Sequence, residues 1–201
     1  MMTEKGSEAP QIGHSARRRE LKADVLMTAL ARGDRAAFED LYRCTSKTVY
    51  HIALGIVRDR AIAEDVMQSA YLSVLRNAEK YRPGTNAAAW IARIARNEAL
   101  NVYNKRKREE SVDEREHPEK FGTAHPDEYG LLIDLARRIL PEDEFTVLLL
   151  IAADGYKRRE VGQMLDMPVA TVTWKYRRAL SAMKAALSED TAKHRKKEGR
   201  T

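Results

Sequence analysis

Cysteine is almost missing from this sequence: Cys44 is the only one, which excludes an internal disulfide and any zinc cluster built on cysteine, and suits a reducing cytoplasm. Proline and glycine are scarce, at 6 and 10 of 201 residues, so few points exist at which a helix must stop. No run alternates apolar and polar residues for long enough to make a convincing strand. With alanine, leucine, arginine, lysine and glutamate plentiful, the predicted fold class is all-α. Long apolar runs are missing too. Nothing approaches the ~18 consecutive apolar residues of a membrane span, and the opening MMTEKGSEAPQIGHSARRRE lacks the apolar core of a signal peptide. The expected location is therefore the cytoplasm, with no direct membrane insertion and no membrane-surface helix.

Catalytic constellations are equally thin. His14, His51, His117, His125 and His194 are scattered, and there is neither an HExxH pattern nor a glycine-rich phosphate loop. His117 and His125 share one stretch but have no further ligands beside them. No catalytic residue, metal site or cofactor is expected, and an enzyme is the least favoured class.

What the chain does have is unevenly placed charge. The formal net charge of +6 is modest, but Lys105 to Arg108 form one basic cluster, and Lys157 to Arg159 with Lys175, Arg177 and Arg178 form another. Between them lie Glu109, Glu110, Asp113, Glu114, Glu116, Glu119, Asp127 and Glu128. Two basic modules separated by an acidic spacer fit two contacts on one polyanion, and nucleic acid is the favoured partner.

The order of elements follows from apolar periodicity. Residues 1–20 are polar and irregular and are expected to be disordered. Helices are expected over Leu21 to Ala31, from a cap at Asp34 to about Arg58, from a cap at Asp59 to about Glu79, and from Ala87 to about Arg108. Pro83-Gly84-Thr85-Asn86 is a turn. Residues 109–128 read as a flexible acidic linker. Helical pattern resumes at Tyr129 to Ile139 and Asp143 to Ala153, and residues 188–201 read as a solvated tail. The expectation is two small helical domains, 21–108 and 129–187, joined by that linker.

The stretch Val161 to Ala186 reads as a helix-turn-helix. Val161, Met164 and Leu165 give a first helix its apolar face, Asp166-Met167-Pro168 interrupts it, and Val172, Tyr176, Ala179, Leu180 and Met183 recur as one buried stripe on a second helix. Thr173, Trp174, Arg177 and Arg178 occupy its opposite face, the equipment of a helix that enters a major groove. Asp166 stands where a left-handed residue is needed and glycine is usual. An amphipathic pair whose cations are merely solvated has the same pattern.

A second face lies upstream. Trp90, Arg93, Asn97 and Asn101 fall at i, i+3, i+7 and i+11, away from Ala88, Ile91, Ala95 and Val102. An aromatic ring, a cation and two carboxamides suit unpaired bases, which are held by stacking and by edge hydrogen bonds. Asparagine is a poor interior helix residue, so two on one face need a reason. The alternative is a core tryptophan beside solvated amides.

Three segments in order resemble the extracytoplasmic-function (ECF) group of sigma-70 factors of bacterial RNA polymerase. RDRAIAEDVMQSAYLSVL is similar to the family's polymerase-docking segment, AAAWIARIARNEALNVYNKRKR to its promoter-melting helix, and the helix-turn-helix to its region four. The resemblance implies core RNA polymerase, through its β′ and β subunits, promoter DNA and an anti-sigma factor as partners. It places Glu64, Asp65, Gln68, Ser69, Leu72 and Arg76 against a β′ coiled coil. It gives minus-ten contacts to Tyr81, Asn86, Trp90, Arg93, Asn97, Asn101, Lys105 and Arg106, with Asn97 and the loop Tyr81 to Asn86 capturing a flipped base. Minus-thirty-five contacts go to Arg159, Thr171, Thr173, Trp174, Lys175, Arg177 and Arg178. Ser69 departs from a commonly acidic position, and Thr173-Trp174 from a usual lysine-serine or arginine-serine pair. The rival class is a free-standing dimeric helix-turn-helix regulator, which has no use for a docking helix or a base-capture face.

Overall fold

A computed structural model of the chain describes residues 12–110 and 128–198, and all regular structure among them is helical. The first group comprises α1 (Ile12–Ala31), α2 (Ala37–Val57), α3 (Arg60–Arg76) and α4 (Ala87–Glu110). The second comprises α5 (Glu128–Ile139), α6 (Glu142–Leu148), α7 (Arg158–Leu165) and α8 (Val169–Glu198). Of the expected linker, residues 111–127 lie outside the described residues, as do 1–11 of the N-terminal stretch, 199–201, and His117 and His125.

Apolar stripes meet where their spacing directs. Met27 of α1, Leu41, Val49 and Ile52 of α2, Val66, Ala70 and Val74 of α3, and Ile91, Ala95 and Ala99 of α4 are all buried together. Asp59, with extended backbone, accepts the Ile62 N–H at 3.1 Å and so starts α3 by satisfying a donor the helix cannot. Asp34 behaves otherwise. Its carboxylate accepts the Ala36 N–H at 3.0 Å, a tight local turn that competes with capping, and α2 begins only at Ala37 behind an uncapped Ala36.

Both expected tails are shorter than the sequence suggests. Helix α1 already begins at Ile12, and α8 continues past Ser188 to Glu198. For α1 the reason is tertiary: Arg19 and Glu20, inside the stretch expected to be irregular, face the second group of helices. For α8 it is local, since TAKHRKKE contains strong helix formers and no glycine or proline. The helix expected over Asp143 to Ala153 also changes character midway. From Leu149 to Ala153 it widens to a π-helical turn, with Asp154 N–H donating to Leu149 O at 3.1 Å and Tyr156 N–H to Leu150 O at 3.0 Å.

That widened turn carries Asp154 and Tyr156 to α2, where the two groups of helices pack on each other. Buried His51 pairs through Nδ1 with Asp154 Oδ2 at 3.0 Å, Lys47 approaches the other carboxylate oxygen at 3.5 Å, and the Thr48 and Tyr156 hydroxyls lie 3.1 Å apart. Arg19 donates to the Asp154 carbonyl and stands over the Tyr156 ring, 5.4 Å from its centroid. Arg58, left-handed at the end of α2, donates to the Arg137 carbonyl at 2.5 Å and to the Leu140 carbonyl, and Arg137 returns a bond to Arg58 O at 2.7 Å. Backbones come close at Gly55, where a Cβ would lie 2.0 Å from Thr146 Oγ1. These polar contacts accompany an apolar core that runs through both groups, with Phe145, Val147 and Leu150 in the same buried cluster as Leu41 and Ile52.

Candidate functional site

Three surfaces carry the predicted residues. The first is the helix-turn-helix. Helix α7 starts after an extended Lys157 whose N–H is accepted by Glu160 Oε2 at 2.7 Å, and it buries Val161, Met164 and Leu165. Asp166 ends it in the left-handed region, φ 56°, as the sequence requires, and Met167 N–H closes the turn on Gly162 O at 2.9 Å. Gly162 makes this possible: a Cβ there would lie 2.7 Å from Met167 O. Sequence reasoning looked for the turn's glycine at 166 and missed the one at 162. Its signal was a glycine inside an amphipathic helix, which costs about 1 kcal/mol unless close approach requires it.

On α8, Val172 and Ala179 are buried and Tyr176 and Met183 half-buried, but Leu180 is 44 % exposed and so leaves the predicted stripe. At ~100° per residue it sits about 80° from Val172, at the margin of what α5, α6 and α7 cover. The opposite face is open: Trp174 is 53 % exposed, and Arg177 and Arg178 are exposed. Thr171 and Thr173 are half-buried, and the Thr173 hydroxyl is spent on Val169 O at 2.8 Å. Arg159 is exposed on the first turn of α7. Two of the cations are tethered from α6: Lys175 Nζ to Asp143 Oδ2 at 3.0 Å, and Arg178 Nε to Glu144 Oε1 at 3.3 Å. Glu144, which the sequence reading did not single out, is buried, and Arg178 lies over the Trp174 ring at 4.7 Å from its centroid.

The second surface is on α4. Arg93, Asn97 and Asn101 are exposed along one side, and no described residue hydrogen-bonds to their side chains. Trp90 at the head of this row is half-buried, meeting the Tyr81 ring edge-on at 5.7 Å. Tyr81 itself does not present a surface. It is 3 % exposed, and its hydroxyl donates to Asp24 Oδ1 at 2.8 Å; burial and that carboxylate push its pKa up to about 12. Asn86 is also engaged: at φ 61° it accepts the Ala89 N–H at 3.1 Å, and its amide reaches Gln163 Oε1 of α7 at 3.2 Å. The loop thus positions Trp90 and starts α4, and the open amides lie further along the helix. Lys105 is exposed and Arg106 half-buried at the basic end. Lys105 stands 3.9 Å from Glu109, a surface pair worth little.

The third is α3. Glu64, Asp65, Gln68, Ser69, Leu72 and Arg76 are all exposed, with Leu72 at 57 %, while Val66, Ala70 and Val74 of the same helix are buried. Among the described residues, Arg76 alone of these six makes a side-chain hydrogen bond, to the Ser73 hydroxyl at 3.1 Å. Among the described residues no helix is long and apolar enough to cross a membrane.

Residues 41–109 match the family model for Sigma-70 region 2, and residues 131–183 the model for Sigma-70, region 4. The chain is similar to the RNA polymerase sigma factor CarQ of Myxococcus xanthus, 26% identical over 78% of this chain and 92% of that one. It is 29% identical to the ECF RNA polymerase sigma factor EcfG of Rhodopseudomonas palustris over 73% and 82%, and 27% identical to SigM of Mycobacterium tuberculosis over 85% and 86%. Its fold is similar to that of the sigma factor RpoE of Bartonella quintana, solved in complex with the anti-sigma factor NepR, at a TM-score of 0.60 and 20% identity over 75% and 96% of the two chains. It is also similar to that of CnrH, solved with the cytosolic domain of CnrY, at 0.61 and 19% over 84% and 99%.

Proposed function

The chain belongs to the sigma-70 family, in its ECF group, and is a sigma factor of RNA polymerase; on that premise we propose how its helices divide the work. Residues 21–108 dock on core polymerase and open minus-ten DNA, residues 129–187 read minus-thirty-five DNA as duplex, and residues 109–128 connect them. The exposed face of α3 meets a coiled coil of the β′ subunit, and further contacts fall on β. Arg93, Asn97 and Asn101, with the edge of Trp90, receive unpaired minus-ten bases, and Lys105 and Arg106 hold phosphates nearby. Tyr81 and Asn86 serve that face from behind, by placing Trp90 and capping α4. Arg159, Thr171, Thr173, Trp174, Lys175, Arg177 and Arg178 face the upstream duplex. RNA synthesis itself belongs to the polymerase. An anti-sigma protein is the fitting negative partner, in keeping with the NepR and CnrY complexes of the two fold neighbours.

The observation that carries this reading is the α3 face. A helix that buries Val66, Ala70 and Val74 yet leaves Leu72 and three charged residues outside presents a surface with no work to do inside the protein. A free-standing dimeric regulator has no use for it. Asp65→Arg reverses one exposed charge and should cost within about 0.5 kcal/mol of stability. Titration of purified core polymerase should show weaker association for this variant than for the native chain, with helical content unchanged. Native chain that fails to associate with core at all would return the dimeric regulator as the better reading.

A further inference from the structure

We propose that Trp174, Arg178 and Glu144 form one pre-set reading device on α8 that recognises a guanine together with a neighbouring thymine methyl group in the major groove. This rests on the helix-turn-helix binding upstream duplex, and goes beyond it by naming what is read and by which atoms.

The geometry of Arg178 limits what it can do. Its Nε lies 3.3 Å from Glu144 Oε1 and its Cζ stands over the Trp174 ring, 4.7 Å from the centroid. Nε is therefore engaged from within the protein, and the indole flanks the guanidinium. The two Nη groups have no partner among the described residues, and 54% of the side chain is exposed. Two parallel N–H donors on a fixed plane match the O6 and N7 acceptors of guanine, and no other base offers that acceptor pair in the major groove. Glu144 is the reason the plane is fixed. Its side chain is only 5% exposed, so swinging Arg178 away would leave a buried carboxylate without its cation. The arginine is held ready before DNA arrives, which lowers the ordering cost of binding.

Trp174 supplies the second contact. It is 53% exposed, with Lys175 Nζ 5.9 Å and Arg178 Cζ 4.7 Å from its ring centroid. Lys175 is tethered to Asp143. An indole held beside two anchored cations and half exposed offers apolar surface outward, and the thymine methyl is the apolar group of the major groove. Residues four apart on a helix are displaced by about 6 Å along its axis. That is close to two base-pair steps of about 3.4 Å, so the two contacts fall on adjacent or next-adjacent pairs.

The test uses holoenzyme assembled from purified core polymerase and the full chain, on a promoter that this holoenzyme selects from random duplex. Each upstream guanine is replaced singly by 7-deazaguanine, which lacks the N7 acceptor, and each thymine by uracil, which lacks only the methyl. The native chain should lose roughly tenfold in binding at one guanine and about fourfold at one thymine within two pairs of it. Arg178→Ala, which leaves no donor for N7, should abolish the 7-deazaguanine effect, and Trp174→Ala the uracil effect. Glu144→Gln tests positioning: discrimination at that guanine should fall while affinity for unrelated duplex and the melting temperature stay near native. Uniform insensitivity to both analogues would overturn the device while leaving duplex recognition standing. An analogue effect that persists in Arg178→Ala would assign the guanine to another residue and overturn it equally. Selection that yields no upstream preference would overturn duplex reading as well, and is told apart because binding then ignores whole-element replacement.

Discussion

Asn97 shows what a single side chain can decide. Two roles were open to it, a buried amide needed for packing and an exposed one available to a base, and they predict opposite signs for its removal. It is exposed, with no described residue bonded to its amide. Asn97→Ala should therefore raise stability by about 0.5 kcal/mol, because alanine is the better helix former, while impairing promoter opening. A thermal melt beside permanganate footprinting of minus-ten thymines checks both halves, and normal opening with lower stability would remove Asn97 from base capture. The row it belongs to was legible from 3.6-residue periodicity alone. Tyr81 and Asn86 were less so, because periodicity says nothing about loop residues, and their partners, Asp24 and Gln163, are distant in sequence. Glu144 was hidden for the same reason: its tie to Arg178 crosses from α6 to α8.

Helices as units were more legible than their ends. Apolar spacing placed Val66, Ala70 and Val74 of α3 and Ile91 and Ala95 of α4 on the core side, since burying one stripe is the main stabilising demand on each, whereas Tyr42, expected on the apolar face of α2 with Leu41 and Ile52, is 38% exposed. The start of α1 and the widened turn at Leu149–Ala153 follow from contacts with the other group of helices, which no local pattern encodes. The α7–α8 turn lies between these cases. Its left-handed residue was readable at Asp166, whereas the need for Gly162 appears only once Met167 O is seen 2.7 Å from the place of a Cβ. Gly162→Ala should thus be destabilising, by about 1–3 kcal/mol, through overpacking against backbone, although propensity alone favours it by about 1 kcal/mol. Chemical denaturation of the purified chain gives the sign directly, and a stabilised variant would show that the turn relaxes around the methyl.

At the scale of the molecule, the two groups of helices are packed on each other through a seam that promoter binding cannot keep. Elements centred about 25 base pairs apart are separated by roughly 85 Å of duplex, against a radius of gyration of about 17 Å for a compact chain of this length. The seam should therefore open on the promoter, and its chemistry suits reversal. Half-buried Glu20 of α1 is pushed up from 4.5 to about 7, first by burial, then by Glu160 of α7, with Asp24 adding to the rise and the Asn86 side chain and Arg159 opposing it. A carboxyl raised in the packed state holds its proton more tightly there than apart, so its contribution is complete below 4.5 and is lost as pH climbs through about 7. Solution scattering from about pH 5 to about pH 8 should show the native chain expanding, and Glu20→Gln should flatten that change. Gly55→Ala, which puts a methyl 2.0 Å from Thr146 Oγ1, should expand the chain at every pH without loss of helix.

The central claim is that one chain docks on polymerase through α3, receives melted DNA on α4 and reads duplex on α8. Footprinting of a single promoter tests it, with the chain alone, core polymerase alone, and the two together. Only the combination should protect the upstream duplex and make minus-ten thymines reactive to permanganate. Protection of the same duplex by the chain alone, as a dimer, with no thymine reactivity when core is added, would contradict it.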